Sequence, residues 1–292
     1  MVKPSSLSVR WRVVLVLVMT FSALALVAKA ASSEGAPAAS VSGDHPKNSA
    51  SSSSADEASA KAAIRIALYR GPGTGGKGPP NLKQRLNAAP KTSITELSPE
   101  AFADGSLTNY DVIIFAGGSG SKQAESIGKA GREAVRQFVA GGGGYIGICA
   151  GAYLATSGFS WSLHIINAKT ISSKWKRGRG DVKVELTERG RSILGERTDL
   201  FDVHYANGPV VEPGKDKTLP PYLPLAYFRT ELSENDSPPG VMVNAPAVFA
   251  GEYKAGRVVC ISPHPEQTPG LEAFVPRAVE WVAAARLGAG AK

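Results

Sequence analysis

The sequence of 292 residues has few of the residue types that build disulfide networks and metal centres. It contains two cysteines, Cys149 and Cys260, and four histidines. His45 lies in a Ser/Ala-rich stretch, and the other three histidines show no spacing typical of metal ligands. A disulfide-rich scaffold is therefore excluded, and no metal site is predicted.

The two cysteines are not expected to pair with each other. Cys260 lies four residues before His264 in an apolar segment, which corresponds to a rise of about 13 Å along an extended strand. If His264 lies beside Cys149, as the motifs below indicate, Cys260 is too distant for a disulfide bond. We therefore interpret Cys260 as a small buried core residue.

The chain also lacks a strong basic excess outside its N-terminus. The formal net charge is +8, but residues 1–30 contain four of the 33 basic residues and no acidic residue, which leaves 29 against 25. A net charge of about +4 does not predict nucleic-acid binding. One basic cluster, residues 174–179, contains a tryptophan and could bind anions or sugars, although such a charge run more commonly forms a solvated loop.

No apolar run reaches the roughly 20 residues that a membrane-spanning helix needs. The longest, Val13 to Val27, follows basic residues and precedes Ala28-Lys29-Ala30, which is typical of a signal peptide over residues 1–30. The sequence thus predicts export to the periplasm or the extracellular space, with no stable membrane insertion after cleavage. The alternative is an N-terminal anchor that stays uncleaved.

The remaining chain divides by composition. Residues 31–63 are dominated by Ser and Ala and predict a disordered tether. Residues 64–287 have the length and composition of one α/β domain, and residues 288–292 form a short tail.

Apolar runs separated by glycines predict the order of strands and helices in that domain. Strands are expected at 64–69, 111–115 and 145–148, with a helix at 123–140 between the last two. This βαβ order predicts a flavodoxin-like three-layer sandwich with a mostly parallel sheet. Further strands at 164–171, 182–186, 200–205, 224–229, 247–253 and 258–262 predict an added antiparallel extension, and a helix at 272–286 ends the domain.

The strongest local signal is Gly147-Ile148-Cys149-Ala150-Gly151, where a predicted strand meets a helix that begins near Ala152. A nucleophile at such a turn needs small neighbours because the chain passes close to itself. The helix N-terminus would stabilise a thiolate. Taken alone, the spacing fits a tight turn with a buried thiol equally well.

His264-Pro265-Glu266 follows an apolar strand and favours the catalytic interpretation. Residues two apart in extended chain point to the same side, so Glu266 could hold the imidazole of His264 while its other nitrogen receives the thiol proton. The backbone amides of Gly118 and Ala150 are candidates for an oxyanion hole. The alternative is that Gly117 and Gly118 only permit a tight turn.

Together these motifs resemble the class I glutamine amidotransferase superfamily. More narrowly, residues 69–74, 147–153 and 204–209 resemble the N-terminal domain of biotin–protein ligases. The resemblance covers residues 64–287 and implies a catalytic Cys149, His264 and Glu266, with an oxyanion role for Gly118 and Ala150. The same segments make Gly73, Tyr153, Tyr205 and Asn207 candidate substrate-binding residues.

The sequence departs from the family in two places. Ala152-Tyr153-Leu154 stands where glutamine-hydrolysing members usually carry a Gly-hydrophobic-Gln segment. Nothing after Leu287 corresponds to a ligase catalytic domain, so biotin ligase activity is not expected.

The sequence is compatible with three functions. The first is a cysteine hydrolase that cleaves an amide or related C–N bond of a small molecule or peptide and needs no cofactor. The second is a non-catalytic ligand-binding or sensing module that keeps the fold. The third is a redox or stress protein in which Cys149 is oxidised.

Overall fold

The computed structural model describes residues 63–289. The predicted signal peptide, and all of the predicted tether except residue 63, lie outside this range, as do residues 290–292. Across residues 63–289, none of the helices combines the length and apolar character that a membrane crossing requires.

The first half of the described chain alternates strands and helices, as the apolar runs predict. The buried strands β3 (Val112–Phe115) and β4 (Gly144–Ile148) are continuous apolar runs because helices cover both faces of the sheet. Helix α2 (Gly120–Ala140) is interrupted at Gly128, where φ is +66°. The elements are β1 (Ile64–Tyr69), α1 (Gly78–Ala88), β2 (Thr92–Leu97), β3 (Val112–Phe115), α2 (Gly120–Ala140), β4 (Gly144–Ile148) and α3 (Ala150–Ala155).

The second half is richer in strands. A short 3-10 helix, Pro265–Gln267, lies between the last strand and the last helix. The elements are β5 (Ala168–Thr170), β6 (Arg179–Leu186), α4 (Glu188–Leu194), β7 (Phe201–Ala206), β8 (Val211–Pro213), β9 (Leu223–Phe228), β10 (Pro246–Tyr253), β11 (Gly256–Ile261) and α5 (Phe274–Ala289).

Nine strands form one mixed sheet in the order β2-β1-β3-β4-β11-β10-β9-β6-β7. The five strands from β2 to β11 run parallel to one another, in the order 2-1-3-4-5 that flavodoxin-like sheets have. From β11 to β7 every neighbouring pair is antiparallel. The predicted fold class, an α/β sandwich with an antiparallel extension, is confirmed.

Alternate residues of the parallel strands pack into two hydrophobic cores, one on each face of the sheet. Ile66 of β1 packs in one core with Leu82 of α1 and Val279 of α5. Tyr69 points to the other face and packs in the core that contains Ile127 of α2. Because both faces are covered, the carboxyl ends of the parallel strands are the place where polar side chains can gather.

One predicted strand is wrong in most of its length. Residues 164–171 were expected to be extended, but only Ala168–Thr170 form a strand. His164 has a φ of +54°, and its Nε2 lies 2.8 Å from the carbonyl oxygen of Phe159. This left-handed residue turns the chain, so the apolar residues after it are buried without joining the main sheet.

Candidate active site

Cys149 occupies a strained turn between β4 and α3. Its φ and ψ are +51° and −99°, a conformation that few non-glycine residues adopt. Small neighbours are needed on both sides: a Cβ on Gly147 would lie 2.3 Å from the carbonyl oxygen of Gly151, and a Cβ on Gly151 would lie 2.1 Å from that of Phe115. The turn sets Cys149 at the N-terminus of α3, where the first amides of the helix have no partner within it.

The neighbouring strand β11 brings His264 to the same edge of the sheet. β4 and β11 are parallel, with Ile148 opposite Ile261, and the amide of Cys149 donates a 2.8 Å hydrogen bond to the carbonyl oxygen of Ile261. The carboxyl ends of the two strands therefore coincide. The amide of His264 is anchored in turn by a 2.7 Å hydrogen bond to the carbonyl oxygen of His204.

Glu266 holds the ring of His264. Nδ1 of His264 lies 2.8 Å from Oε1 of Glu266, and both side chains are buried. The side-chain amide of Gln267 also donates to this carboxylate oxygen at 3.1 Å. The second oxygen, Oε2, is buried without a hydrogen-bond partner among the described residues. A carboxylate in this setting favours a proton on Nδ1 and so leaves Nε2 for another partner.

Gly117 lies close to both the cysteine and the histidine. A Cβ placed on Gly117 would be 2.6 Å from Cε1 of His264 and 3.6 Å from Cβ of Cys149. The absence of a side chain at Gly117 therefore leaves room for both side chains beside its α-carbon.

The surroundings of His264 raise its pKa. Burial alone lowers the pKa because it disfavours the charged ring, but hydrogen bonds to Cys149 and Glu266, and the negative charge of both, outweigh it. The net result raises the pKa of His264 from 6.5 to about 10. The site thus favours an imidazolium between two groups that can carry negative charge.

This raised pKa predicts a pH-dependent contribution of His264 to stability. A group whose pKa is higher in the folded state stabilises it fully below the unfolded pKa of 6.5, and the effect is lost as pH rises through about 10. We expect the difference in unfolding free energy between wild type and His264→Gln to be largest below pH 6.5 and to shrink steadily toward pH 10. Denaturant titrations across this range measure it. A difference independent of pH would contradict the assignment.

The two predicted oxyanion donors are Gly118, in the loop after β3, and Ala150, directly after Cys149. Gly118 has a φ of +140° and lines the cavity beside the thiol, and Ala150 is the first residue of α3. Gly118 needs to be glycine for space as well, since a Cβ there would lie 2.0 Å from the carbonyl oxygen of Gly73. That carbonyl accepts the amide of Ser119 at 2.8 Å, which fixes the turn.

A cavity of about 880 Å³ opens onto Cys149 and His264. Tyr153 and Asn207, two of the predicted substrate-binding residues, line it, and so does His204. Gly73 and Tyr205, the other two, do not: the carbonyl of Gly73 holds the turn at Ser119, and the fully buried Tyr205 donates its hydroxyl to the carbonyl oxygen of Gly208 at 2.7 Å.

The segment after β7 contributes contacts that were not predicted. The thiol of Cys149 donates to the carbonyl oxygen of Ala206 at 3.4 Å. Asn207 has a φ of +57°, and its Oδ1 accepts the amide of Gly178 at 2.9 Å. Its carbonyl oxygen accepts the hydroxyl of Tyr153 at 3.2 Å. The asparagine followed by glycine at 207–208 signals such a left-handed turn, but the sequence gives no sign that the turn meets the cysteine.

The two cysteines are not bonded to each other, and both are buried. Cys260 of β11 lies opposite Gly147 of β4, and burial raises the pKa of its thiol. The prediction that Cys260 is a core residue is confirmed. Among the described residues, no group of three or more His, Cys, Asp or Glu side chains could hold a metal ion.

Residues 64–174 match the family model described as "Biotin-protein ligase, N terminal". No curated protein matches the sequence significantly. The matched range contains Cys149 and ends before His204 and His264.

Solved structures of several proteins are similar over most of this chain. PurLQS from Thermotoga maritima is 14% identical, with a TM-score of 0.54 over 77% of this chain and 99% of that one. A glutamine amidotransferase is 17% identical, with a TM-score of 0.51 over 75% and 98%. A ThuA-like protein from Bacteroides uniformis is 18% identical, with a TM-score of 0.51 over 77% and 93%. The resemblance seen in the sequence is thus confirmed: the chain has a class I glutamine amidotransferase-like fold, and its residues 64–174 match the N-terminal domain of biotin–protein ligases.

Proposed function

We propose that this protein is a cysteine hydrolase that cleaves an amide or related C–N bond through an acyl-enzyme at Cys149. The observation that carries the proposal is that a strained cysteine and a buried His264–Glu266 pair come together beside the α-carbon of Gly117. A packing role alone gives no reason for a buried imidazole and a buried carboxylate to lie beside the thiol, because burying such groups is costly.

In the acylation step the thiolate of Cys149 attacks the carbonyl carbon of the substrate. A C–S bond forms, and negative charge develops on the carbonyl oxygen, where the amides of Gly118 and Ala150 would stabilise it. The C–N bond then breaks as the imidazolium of His264 gives its proton to the departing nitrogen. Glu266 keeps the ring oriented and stabilises its positive charge.

In the deacylation step water attacks the thioester. His264 accepts a proton from this water, the C–S bond breaks, and the acid product leaves with the thiolate regenerated. The proposed chemistry uses only these side chains, backbone amides and water. The signal-peptide pattern supports an extension of the proposal, that the hydrolase acts outside the cytoplasm.

An activated ester tests the acyl chemistry before a natural substrate is known. We expect p-nitrophenyl acetate to produce a burst of nitrophenolate, together with an acetyl group on the peptide that contains Cys149, followed by slower turnover. Rapid-mixing absorbance and mass spectrometry of the digested protein measure the two events.

Two cysteine variants serve as the matched pair in this experiment. Cys260→Ala should keep the burst because Cys260 packs in the hydrophobic core and does not line the cavity. Cys149→Ala should lose it, because Cys149 lines the cavity. A wild-type protein without a burst, or with acetyl groups only on lysine, would argue against acyl transfer and in favour of a ligand-binding module.

A further inference from the structure

The basic cluster at residues 174–179, which we call the basic segment, forms one wall of the cavity. Trp175, Lys176 and Arg179 line the cavity that opens onto Cys149. The sequence suggested a solvated loop as the common role of such a cluster. The structure instead places this segment at the candidate active site.

Buried contacts hold the basic segment in place. Arg177 is only 2% exposed, and its guanidinium donates twice to the carbonyl oxygen of Pro238 at 3.0 Å and lies 3.5 Å from a carboxylate oxygen of Glu231. Gly178 donates its amide to Asn207. Because Arg177 is fixed inward, its neighbours Lys176 and Arg179 are presented to the cavity from an ordered backbone.

Arg179 lies close to the nucleophile. It pairs in β6 with Ala206 of β7, and the carbonyl of Ala206 accepts the thiol of Cys149. Directly opposed residues in an antiparallel pair have Cα atoms about 5 Å apart. Lys77, at the start of α1, adds a third positive charge to the cavity wall.

Negative charge does not compensate these three cations. Among the described residues, no Asp or Glu lines the cavity, and Lys77, Lys176 and Arg179 form no ion pair. Glu234 is near the segment but packs against Gly178. The cavity therefore carries an excess of positive charge at its wall.

Aromatic side chains form another part of the wall. The rings of Phe159 and Trp161 are stacked, with centroids 4.7 Å apart and planes 14° apart. Trp175, half exposed, lies on the basic segment. Flat apolar surfaces of this kind bind planar or apolar groups, and arginine recognises carboxylates with a matching pair of donors.

We propose that the substrate is an anionic amide whose carboxylate is held by Lys176 and Arg179 while its apolar part packs on the aromatic wall. This inference rests on the proposed hydrolase function and specifies its substrate class. The cavity volume of about 880 Å³ is within the range that accommodates ligands larger than a single amino acid.

Two alkylating reagents that differ only in charge test this proposal, bromoacetylglycine and bromoacetylglycinamide. With both reagents, the thiolate of Cys149 displaces bromide and forms a thioether. The alkylation rate with the anionic reagent divided by the rate with the neutral reagent is therefore independent of the intrinsic reactivity of the thiol. We expect wild type to favour the anionic reagent about tenfold more than N-acetylcysteinamide, a free thiol without a carboxylate, does, with a preference that falls as salt is added.

Substitutions test whether Lys176 and Arg179 cause the preference for the anionic reagent. Lys176→Gln combined with Arg179→Gln should bring the ratio down to that of N-acetylcysteinamide, with circular dichroism confirming that the variant is folded. The matched control Lys217→Gln, an exposed lysine outside the cavity, should leave the ratio unchanged. A wild-type ratio equal to that of N-acetylcysteinamide would overturn the proposal, and so would a double variant that keeps the wild-type ratio.

Binding provides a second measurement that does not depend on the thiol. In Cys149→Ala, the fluorescence of Trp161 and Trp175 should respond to N-acetylglycine at lower concentrations than to N-acetylglycinamide. Equal responses would overturn anion selection. Slow alkylation by both reagents would instead count against the hydrolase, so the two failures can be told apart.

Discussion

Replacing His264 with alanine is expected to slow alkylation of Cys149 by iodoacetamide about ten- to thirtyfold at pH 7. Alkylation proceeds through the thiolate, an ordinary cysteine is only a few per cent ionised at neutral pH, and a positively charged neighbour favours the thiolate. The raised pKa of His264, which is hydrogen-bonded to Glu266, supports a positively charged ring at this site. Stopped-flow or quenched alkylation with mass spectrometry of the cysteine peptides measures the rate.

The neighbouring histidine provides the control for this prediction. The ring of His204 lies 6.0 Å from that of His264, but its Nδ1 faces Asp181 at 3.6 Å rather than the thiol. His204→Ala should therefore change the rate far less. Equal alkylation rates for wild type and His264→Ala would show that His264 does not activate Cys149, and this would contradict the hydrolase proposal.

The second large effect is expected from Gly117→Ala. The backbone of Gly117 lies outside the left-handed region, so alanine is compatible with its conformation. The new methyl group, however, would lie 2.6 Å from Cε1 of His264 and would displace the ring from Cys149. We expect alkylation to slow as much as in His264→Ala, with a loss of about 1–3 kcal/mol in unfolding free energy from overpacking.

Gly76→Ala is the matched substitution. Gly76 lines the same cavity, but a Cβ there would meet no atom within 4 Å. This variant should keep the wild-type alkylation rate and stability. If Gly117→Ala also behaved like wild type, the ring of His264 would have room to move, and the close approach seen at Gly117 would not be needed for reactivity.

The parallel half of the fold was predictable because its central strands have two buried faces. β1 was predicted with its observed bounds, Ile64–Tyr69, since nearly every residue in it is apolar. Helix α1 and strand β2 were not predicted. α1 begins with Gly78-Pro79-Pro80, a sequence more typical of a glycine-rich loop than of a helix. β2 is an edge strand with a mostly polar sequence.

The site was predictable in part for a related reason. Each of its parts follows an apolar strand, and the carboxyl ends of neighbouring parallel strands meet at one edge of the sheet. The positions of Cys149 and of the His264–Glu266 pair therefore follow from strand order, once β11 is known to lie beside β4. The catalytic roles of these residues are still predictions.

The cavity wall could not be predicted from local sequence. Trp175 and Lys176 look like part of an exposed charge run, yet both line the cavity. The buried Arg177 that follows them anchors the segment. The partners of Arg177, Pro238 and Glu231, lie more than fifty residues further along the chain. Contacts at such separation leave no periodic pattern in the sequence.

The pairing of β4 with β11 also determines when, during synthesis, Cys149 can meet its proposed base. Residues 144–149 are made more than one hundred residues before His264, and the strand that carries His264 to the cysteine is the last strand of the described chain. A nascent chain that ends before residue 256 therefore contains Cys149 but neither His264, its proposed proton acceptor, nor Glu266, the residue proposed to orient that histidine. The chemistry proposed for Cys149 begins only once the ribosome has passed Glu266.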